Sequence, residues 1–481
     1  MLFGLGSGRW AAPEREDGEG RAIAGILLVT RRKDSMRLAT KVLIVGVACA
    51  SAGIFVMASR AEYPGPAATR AAADATAPED EIIVKFKTGA QAAGVEATHA
   101  KVAKVAIAAR KGIALGAEVV RFAARRSPAE LQAIVAEYRK DPNVEYAEVN
   151  GIMTIMQAPK PPFQAAPQLQ AVPKLSPRLP IGGIIIPLRC PGSDDPQYPN
   201  LWGIKKIRAD CAWDTNIGAG NIKVAIVDTG VDYNHEDLAG TVIKGHDFVN
   251  NDNDPKDDQG HGTHVAGTIA ATINNNKGVV GVGPNVKILA VKVLGATGSG
   301  SFSGIANGII YAADNGARVI NLSLGGGPSQ TVKNAVDYAW SKGVLLACAA
   351  GNDAPTTTAP GYPAAYPSCL AVAATDQNDQ RAGFSQYAPN GVAAPGVTIL
   401  STTMGNTYGN KSGTSMATPH VAGLAGLLFA QNPNRTNARV RQILTATTDD
   451  IGAPGKDGIF GFGRINAQKA VLFQCTGNSC P

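Results

Sequence analysis

The sequence predicts an α/β protein with a doubly wound, mostly parallel sheet that carries helices on both faces, preceded by a small α+β domain. Short runs rich in β-branched residues alternate with helical stretches after residue 221, the pattern of parallel strands joined by crossover helices. A hydrophobic content of 45% over 481 residues suffices for more than one core. Charged residues make up 17%, and no Gly-X-Y or heptad repeat is present. A disordered chain, collagen and coiled coil are therefore excluded.

The basic excess lies at the start of the chain. Residues 190–481 carry 20 Lys+Arg against 21 Asp+Glu, so the net charge of +7 arises upstream. There, five basic residues between 31 and 41 precede an apolar stretch at 42–58 and then Ser59-Arg60-Ala61. This pattern predicts a secretory signal within residues 1–61, with Met36 as an alternative start.

The charge pattern also bears on partners. The apolar stretch of about 17 residues is short for a bilayer span, so membrane contact is expected only through this segment, with a retained anchor as the alternative. The basic residues do not cluster as a phosphate-binding face requires, so no nucleic-acid partner is predicted.

Residues 79–150 predict the small α+β domain. Strands are expected at 82–86, 118–122 and 144–149, and a helix at 127–138 begins with Ser127-Pro128, a typical helix start. Residues 151–193 are rich in Pro and Gln, which predicts an extended linker that a peptidase could cut.

Residues 194–474 predict the large domain, followed by a Cys-containing tail at 475–481. Strands are expected at 222–227, 287–293, 318–324, 344–350 and 370–374. Helices are expected at 261–273, 302–315, 331–342, 415–430 and 437–447. Ligands of such sheets bind outside the carboxyl ends of the strands, so side chains just past each strand are the candidates for function.

The number of cysteines is consistent with an exported protein. Seven become six once Cys49 leaves with the signal, an even number that permits three bridges in an oxidising compartment. We expect Cys190 to pair with Cys211, and Cys475 with Cys480. Cys348 and Cys369 lie in apolar runs, which leaves a bridge and buried free thiols as alternatives. No Cys-x-x-Cys pair occurs, so structural zinc lacks its ligands.

Three motifs carry the chemistry. Asp228-Thr229-Gly230 follows the first strand of the large domain, His261 opens a helix, and Ser415 lies after Gly-Thr at the start of another helix. Each motif alone has a simpler interpretation: a solvated turn aspartate, a histidine pair for a metal, or an N-cap serine. His261 and His264 do not match the i, i+4 metalloprotease pattern, and a second Asp-Thr-Gly of an aspartic-protease dyad is absent from the sequence.

The joint pattern favours nucleophilic acyl transfer. A serine nucleophile needs a base within hydrogen-bond reach and a buried carboxylate that orients the base. Ser415, His261 and Asp228 supply these three groups. The Asn352 side chain, directly past a predicted strand, is the candidate donor to the oxyanion, together with the Ser415 backbone amide.

In these residues the chain resembles the subtilisin-like serine peptidases, above all the thermitase-like secreted branch. The resemblance covers roughly residues 194–472 and rests on five motifs: Asp228-Thr229-Gly230, His261 to Gly267, Ser323-Leu324-Gly325-Gly326, Gly351-Asn352 and Gly413 to His420. It implies a subtilisin-like fold. It also implies that residues 79–150 are an inhibitory propeptide that assists folding and occupies the cleft until autoprocessing.

The resemblance also implies a binding site for the substrate backbone. A substrate would add as a β-strand between two segments, with Phe302 near the P4 side chain, where P1 is the residue before the scissile bond. The segments are Gly298 to Gly300, with both terminal glycines as candidates, and Ser323, Leu324 and Gly325.

Calcium is the cofactor that the resemblance implies. The ligands of a tight site would be the side chains of Asp195, Asp237 and Asn275 and backbone oxygens of the loop containing Ile273, Lys277 and Val279. A second group of carboxylates, Asp247, Asp252, Asp254 and Asp257, resembles an additional site. A solvated acidic loop is its alternative interpretation.

Taken together, these patterns predict a secreted, self-processed serine endopeptidase zymogen, a monomer that cleaves protein or peptide substrates with broad preference for apolar P1 residues. Its own propeptide would be an intramolecular inhibitor. A catalytically silent binding protein on the same fold is the alternative. An esterase is disfavoured because no Gly-x-Ser-x-Gly elbow surrounds Ser415.

Overall fold

The computed structural model describes residues 80–102, 106–158 and 190–473. The predicted signal segment, the Cys475–Cys480 pair and residues 159–189 of the predicted linker lie outside these ranges. Within them, no helix combines the length and the apolar character that crossing a bilayer requires.

The small domain is a four-stranded antiparallel sheet with two helices. Its elements are β1 (Glu81–Phe86), α1 (Ala92–Val102), β2 (Ile107–Gly112), β3 (Ala117–Phe122), α2 (Pro128–Arg139) and β4 (Val144–Val149). The strand order is β2-β3-β1-β4. Helix α2 begins at a capping box in which Ser127 and Glu130 satisfy each other's backbone amides. Its buried face, including Val135 and Tyr138, packs on Ile82 of the sheet.

Two elements of this domain, α1 and β2, are absent from the sequence-based prediction. The α1 sequence contains Gly94 and no acidic residue in its first turn, so it lacks the usual signals of a helix start. Strand β2 is almost entirely exposed and has no alternating apolar pattern. Tertiary pairing with β3, rather than local sequence preference, holds β2 in place.

The large domain contains the predicted doubly wound sheet. Before it lies strand β5 (Ile152–Ile155), in the segment expected to be linker. The later strands are β6 (Lys223–Asp228), β7 (Val242–Asp247), β8 (Lys287–Lys292), β9 (Ser299–Ser301), β10 (Ala317–Leu322), β11 (Leu324–Gly326), β12 (Leu345–Ala349), β13 (Cys369–Thr375), β14 (Val392–Pro395), β15 (Ile399–Thr403) and β16 (Thr407–Lys411). The helices are α3 (Trp202–Lys206), α4 (Ala209–Ala212), α5 (His261–Ala270), α6 (Phe302–Asp314), α7 (Gln330–Ser341), α8 (Thr414–Gln431), α9 (Asn437–Ala446) and α10 (Ala467–Val471).

Seven strands form one parallel sheet in the order β14-β13-β12-β10-β6-β8-β7. Alternate residues of each strand enter two separate cores: Val224 and Ile226 face the core that contains α5 and α8, whereas Ala225 and Val227 face the one that contains α6 and α7. The predicted fold class is therefore confirmed. The order places the carboxyl ends of β6, β10 and β12 side by side, and the candidate residues Asp228, Ser323 and Asn352 lie at these ends.

Two disulfides are present in the described residues. Cys190 is bonded to Cys211, as expected, and Cys348 is bonded to Cys369. The second pair was left open by the sequence. Its sulfurs join the neighbouring strands β12 and β13, so the parallel pairing of two apolar runs brings the two cysteines together.

Candidate active site

A buried aspartate and histidine form the centre of the site. Asp228 ends β6 and His261 begins α5, and both side chains are fully buried. Nδ1 of His261 donates a hydrogen bond to Oδ1 of Asp228 at 2.7 Å. Because a carboxylate accepts here, Nδ1 carries the proton and Nε2 presents its lone pair. Nε2 is buried and has no hydrogen-bond partner in the described parts of the chain.

Asp257 fixes the start of α5. Its carboxylate accepts hydrogen bonds from the backbone amides of Gly260 at 2.8 Å and Thr263 at 2.9 Å, and from the hydroxyl of Thr229 at 2.8 Å. Thr229 follows Asp228 directly. The negative carboxylate thus satisfies free amides at the helix N-terminus and ties that helix to the strand end that carries Asp228. Sequence reasoning missed this positioning role.

His264 has a structural role. Its Nε2 donates to the backbone oxygens of Ile399 at 2.9 Å and Gly409 at 3.1 Å. Burial lowers the pKa of His264 to about 3, with the charges of Lys411 and His261 as smaller causes. The imidazole therefore stays neutral and holds α5 against the β15–β16 hairpin.

Ser415 lies in the first turn of α8, which packs against α5. Its hydroxyl donates a hydrogen bond to the backbone oxygen of Ser323 at 2.9 Å. In this arrangement Ser415 is therefore bonded to the end of β10 and not to His261. The residue before the helix is Gly413 with φ +153°, a backbone conformation that favours glycine.

The Asn352 side chain is held in place through its oxygen, while its NH2 group makes no hydrogen bond to the described residues. Its Oδ1 accepts from the backbone amide of Thr414 at 2.9 Å and from the Thr414 hydroxyl at 3.0 Å. This fixes the side-chain orientation and leaves Nδ2 buried without a partner among the residues described. A buried amide donor without an acceptor is costly, so such a group points to a ligand or reacting atom.

The chain's own strand β5 occupies the cleft. It forms a three-stranded antiparallel sheet in the order β11-β5-β9. The two flanking strands contain the segments predicted to bind substrate: Leu324 and Gly325 lie in β11, Ser323 directly before it, Gly300 in β9, and Gly298 directly before that strand. Phe302 follows β9 and is buried in the same cluster as Met153 of β5.

The carbonyl of Met156 lies at the candidate nucleophile. The backbone amide of Ser415 donates to this oxygen at 3.1 Å, and the amide of Met156 donates to the Ser323 oxygen at 3.1 Å. A Cβ added to Gly413 would lie 2.5 Å from the Met156 oxygen. Glycine at 413 is therefore required for this close approach of the Met156 carbonyl.

Two polar side chains near the end of β4 are among the groups that attach the small domain to the large one. Glu148 accepts hydrogen bonds from the Gln330 and Thr331 amides and the Ser329 hydroxyl, each at 2.9 Å, at the N-terminus of α7. Asn150 accepts from the Ser303 amide at 3.1 Å at the start of α6. Carboxylate and amide oxygens cap free amides there, which favours binding.

The first predicted metal-ligand group comes together in the structure. The buried carboxylate of Asp237 accepts from Asn275 Nδ2 at 2.7 Å and from the Val279 amide at 2.8 Å. Asp195, also buried, accepts from the amides of Asn274 and Asn275 at 3.0 Å each. The pKa of Asp237 is raised to about 6, chiefly by burial and to a smaller extent by the charge of Asp195, against the hydrogen bonds from Val279 and Asn275. The same loop contains Ile273 and Lys277.

The second acidic group does not come together. Asp247 caps its own turn by accepting from the Val249 and Asn250 amides, and Asp254 pairs with Lys244 at 3.3 Å. Asp257 is used at the start of α5, contrary to the expectation that it helps to hold a cation. In the described residues, only one group of three His, Cys, Asp or Glu side chains lies close enough to share a cation, namely Cys190, Asp210 and Cys211. The two sulfurs of this group form a disulfide.

Comparisons with known proteins agree with this geometry. A family model described as the subtilase family, peptidase S8, matches residues 219–463, and a model of the fervidolysin N-terminal prodomain matches residues 64–150. Thermitase of Thermoactinomyces vulgaris is 50% identical over 283 residues, which cover 58% of this chain and 99% of the relative.

Two further relatives match the same region. The thermophilic serine proteinase of Bacillus sp. (strain AK1) is 51% identical over 274 residues, covering 56% of this chain and 67% of the relative. Subtilisin Savinase of Lederbergia lenta is 46% identical over 272 residues, covering 56% and 98%.

The fold, the site and these matches define a serine endopeptidase with an N-terminal prodomain. The chain belongs to the subtilase family and is similar to thermitase. The sequence-based resemblance and the predicted enzyme class are therefore confirmed. A prodomain of this kind implies peptide substrates and an inhibitory role for the small domain.

Proposed function

We propose that Ser415 is the nucleophile, His261 the general base and acid, Asp228 the group that orients His261, and Asn352 an oxyanion donor beside the Ser415 amide. The single observation that carries this proposal is the Asp228–His261 hydrogen bond with Nε2 of the histidine buried and unpartnered in the described chain. The unused amide of Asn352 supports the oxyanion assignment.

The reaction begins with a rotation of the Ser415 side chain away from the Ser323 oxygen and toward Nε2 of His261. The serine proton then passes to Nε2 as Oγ attacks the substrate carbonyl, and Asp228 stabilises the imidazolium. The oxyanion is held by the Ser415 amide and Nδ2 of Asn352. His261 next donates its proton to the leaving nitrogen, and water hydrolyses the acyl-enzyme.

The substrates proposed are unfolded or flexible proteins with apolar P1 residues. A chain must be extended to add as a strand between β9 and β11, and folded substrates rarely offer one. The residue that the enzyme's own cleft holds at P1 is Met156, whose Cε would lie 2.1 Å from a Cβ added to Gly325. We also propose that the enzyme is secreted as a zymogen and acts as a monomer.

Covalent labelling tests the proposed chemistry. A serine-directed phosphonofluoridate should label the processed wild-type enzyme at Ser415 and abolish peptide hydrolysis, and the Ser415→Ala variant should take no label. Wild-type protein that folds and is processed but takes no label would overturn the triad and favour a silent binding protein on this fold.

We propose a structural calcium ion held by the side chains of Asp195, Asp237 and Asn275, with backbone oxygens of Ile273, Lys277 and Val279. The side chains fit a hard cation, because two buried carboxylates of like charge lie beside one amide side chain, and all three offer oxygen ligands. The raised pKa of Asp237 shows the cost of this burial. We propose no calcium ligand at Asp257, because its carboxylate holds the start of α5 beside Asp228.

Metal removal tests this site. For a cation present at about 100 times its Kd, excess EGTA removes about 2.7 kcal/mol of stability, which lowers Tm by roughly 5–10 °C. The Asp237→Asn variant should lose most of this response, whereas Asp254→Asn, in the other acidic loop, should keep it. An unchanged wild-type Tm in EGTA would contradict the proposed site.

A further inference from the structure

We propose that the bond between Met156 and Gln157 is the first bond that this enzyme cleaves, so that this first cut leaves residues 157–193 on the catalytic domain. This inference rests on the proposed function of Ser415 and His261. It narrows the expected processing region, residues 151–193, to one bond near the start of that segment.

The residues before this bond are held as a substrate would be. Strand β5 pairs with β11 through Ile155–Leu324 and Met153–Gly326, and with β9 through Met153–Gly300. The Ile155 amide also donates to the Gly298 oxygen at 2.9 Å. Both edges of the strand are therefore hydrogen-bonded, and Met153 is fully buried. This pairing fixes the register of the chain in the cleft.

The register brings one carbonyl group to the nucleophile. The Met156 oxygen accepts from the Ser415 amide, the same amide proposed to hold the oxyanion. Asn150, the end of the predicted propeptide, lies six residues earlier and therefore roughly 20 Å away along an extended chain. Its side chain is bonded to Ser303 and Glu81. The bond after Asn150 thus cannot meet Ser415 in this arrangement.

The residues after the bond are also bound. The amide of Ala158 donates to the Ser412 oxygen at 2.8 Å, and Nζ of Lys411 donates to Oε1 of Gln157 at 3.1 Å. Ala158 is buried. An inhibitor or product could end at the P1 carbonyl, but this chain is contacted on both sides of the carbonyl. The cleft therefore contacts the chain on both sides of the Met156–Gln157 bond.

The proposed cleavage needs only Ser415, His261 and one water molecule to account for every bond and proton. Ser415 Oγ forms a bond to the Met156 carbonyl carbon and gives its proton to Nε2 of His261. The C–N bond to Gln157 then breaks, and the same proton passes to the Gln157 nitrogen. Water attacks the resulting ester, gives one proton to His261, and displaces Ser415, which recovers that proton. The products are a Met156 carboxylate and a free Gln157 amine.

The experiment uses the full chain expressed as wild type and as the variants Ser415→Ala, Gln157→Pro and Gln157→Ala. N-terminal sequencing and intact mass identify every new terminus. Phosphonofluoridate labelling and hydrolysis of a chromogenic peptide are measured on the same samples. Proline at 157 alters the leaving nitrogen while keeping the chain before the bond unchanged, and alanine is its matched control.

The wild type and Gln157→Ala should show a new terminus at residue 157. Ser415→Ala and Gln157→Pro should keep the bond intact, and Gln157→Pro should lose at least about tenfold in the yield of processed enzyme. A labelled, active wild type whose first new terminus lies elsewhere would overturn this inference and leave the proposed function standing. A wild type that neither takes label nor hydrolyses the peptide would overturn both.

Discussion

The two sides of the Met156–Gln157 bond are held in different ways. On the acyl side, which comprises the residues before the bond, strand β5 is paired along both edges and Met153 is buried. On the same side, Glu148 and Asn150 attach the small domain to the N-termini of α7 and α6. On the leaving side, the contacts that we identify are those of Gln157 with Lys411 and of Ala158 with Ser412.

This difference explains how one arrangement can be both substrate and inhibitor. Cleavage as proposed would leave the sheet pairing and the domain contacts of the acyl side intact, so we expect the product to stay bound and to block the cleft. Among the described residues directly after the bond, only Gln157 and Ala158 contact the cleft, so we expect the leaving side to be held less tightly. We therefore expect inhibition to depend on the residues before the bond. Selectivity for the residue after the bond should depend on a few side chains of the cleft.

The largest expected effect concerns the junction of the two sides. Asn352→Ala should lower kcat roughly 10²–10³-fold, the cost of losing one oxyanion donor, because Nδ2 is needed only when charge develops on the carbonyl oxygen. KM should change little. Steady-state kinetics on a chromogenic peptide, with Tm as a control for folding, measure this. A kcat within threefold of the wild type would contradict the role of Asn352.

The next effect tests burial on the acyl side. Met153→Ala removes a fully buried side chain and should cost about 2 kcal/mol, which weakens the prodomain complex about 30-fold. Diluting the processed complex and recording the concentration at which activity appears gives its Kd. Thr154→Ala, on the opposite and partly exposed face of β5, is the control. Equal effects of the two variants would show that backbone pairing alone holds the product.

A smaller effect tests the charge at α7. Glu148→Gln keeps the shape of the side chain but removes the charge that favours three donors at the helix N-terminus. The Kd of the prodomain complex should rise about tenfold, which corresponds to about 1.4 kcal/mol. Glu145→Gln serves as the matched control, because Glu145 pairs with Lys85 within the small domain. If Glu148→Gln raised the Kd less than Glu145→Gln, the result would contradict stabilisation of the complex by Glu148 at the N-terminus of α7.

Much of this site was predictable because its residues follow strands. Asp228, Ser323 and Asn352 end or follow β6, β10 and β12, and the alternation of strands and helices already implies that such positions meet at one edge. The bounds of the larger helices follow equally from local signals. The ends of α5 and α6 differ from the predicted ones by only a few residues.

The strand β5 could not be predicted from its own sequence. Its partners, β9 and β11, lie more than 140 residues later, and the proline-rich composition of residues 151–193 favours an extended linker. The role of Asp257 at the start of α5 was missed for a similar reason. Crowded carboxylates suggest a cation, but the backbone turn into α5 supplies amide donors that the sequence alone does not reveal.

The smallest expected effect concerns the leaving side. Nζ of Lys411 donates to the side-chain oxygen of Gln157, so the enzyme should favour substrates with Gln or Glu directly after the scissile bond. Lys411→Ala should lower kcat/KM about two- to fivefold for a peptide with Gln at that position, because one partly exposed hydrogen bond contributes about 0.5–1 kcal/mol. The kcat/KM for an otherwise identical peptide with Ala at that position should not change. Kinetics on the matched peptide pair measure the ratio. An equal loss on both peptides would mean that Lys411 supports the cleft as a whole and does not select the leaving residue.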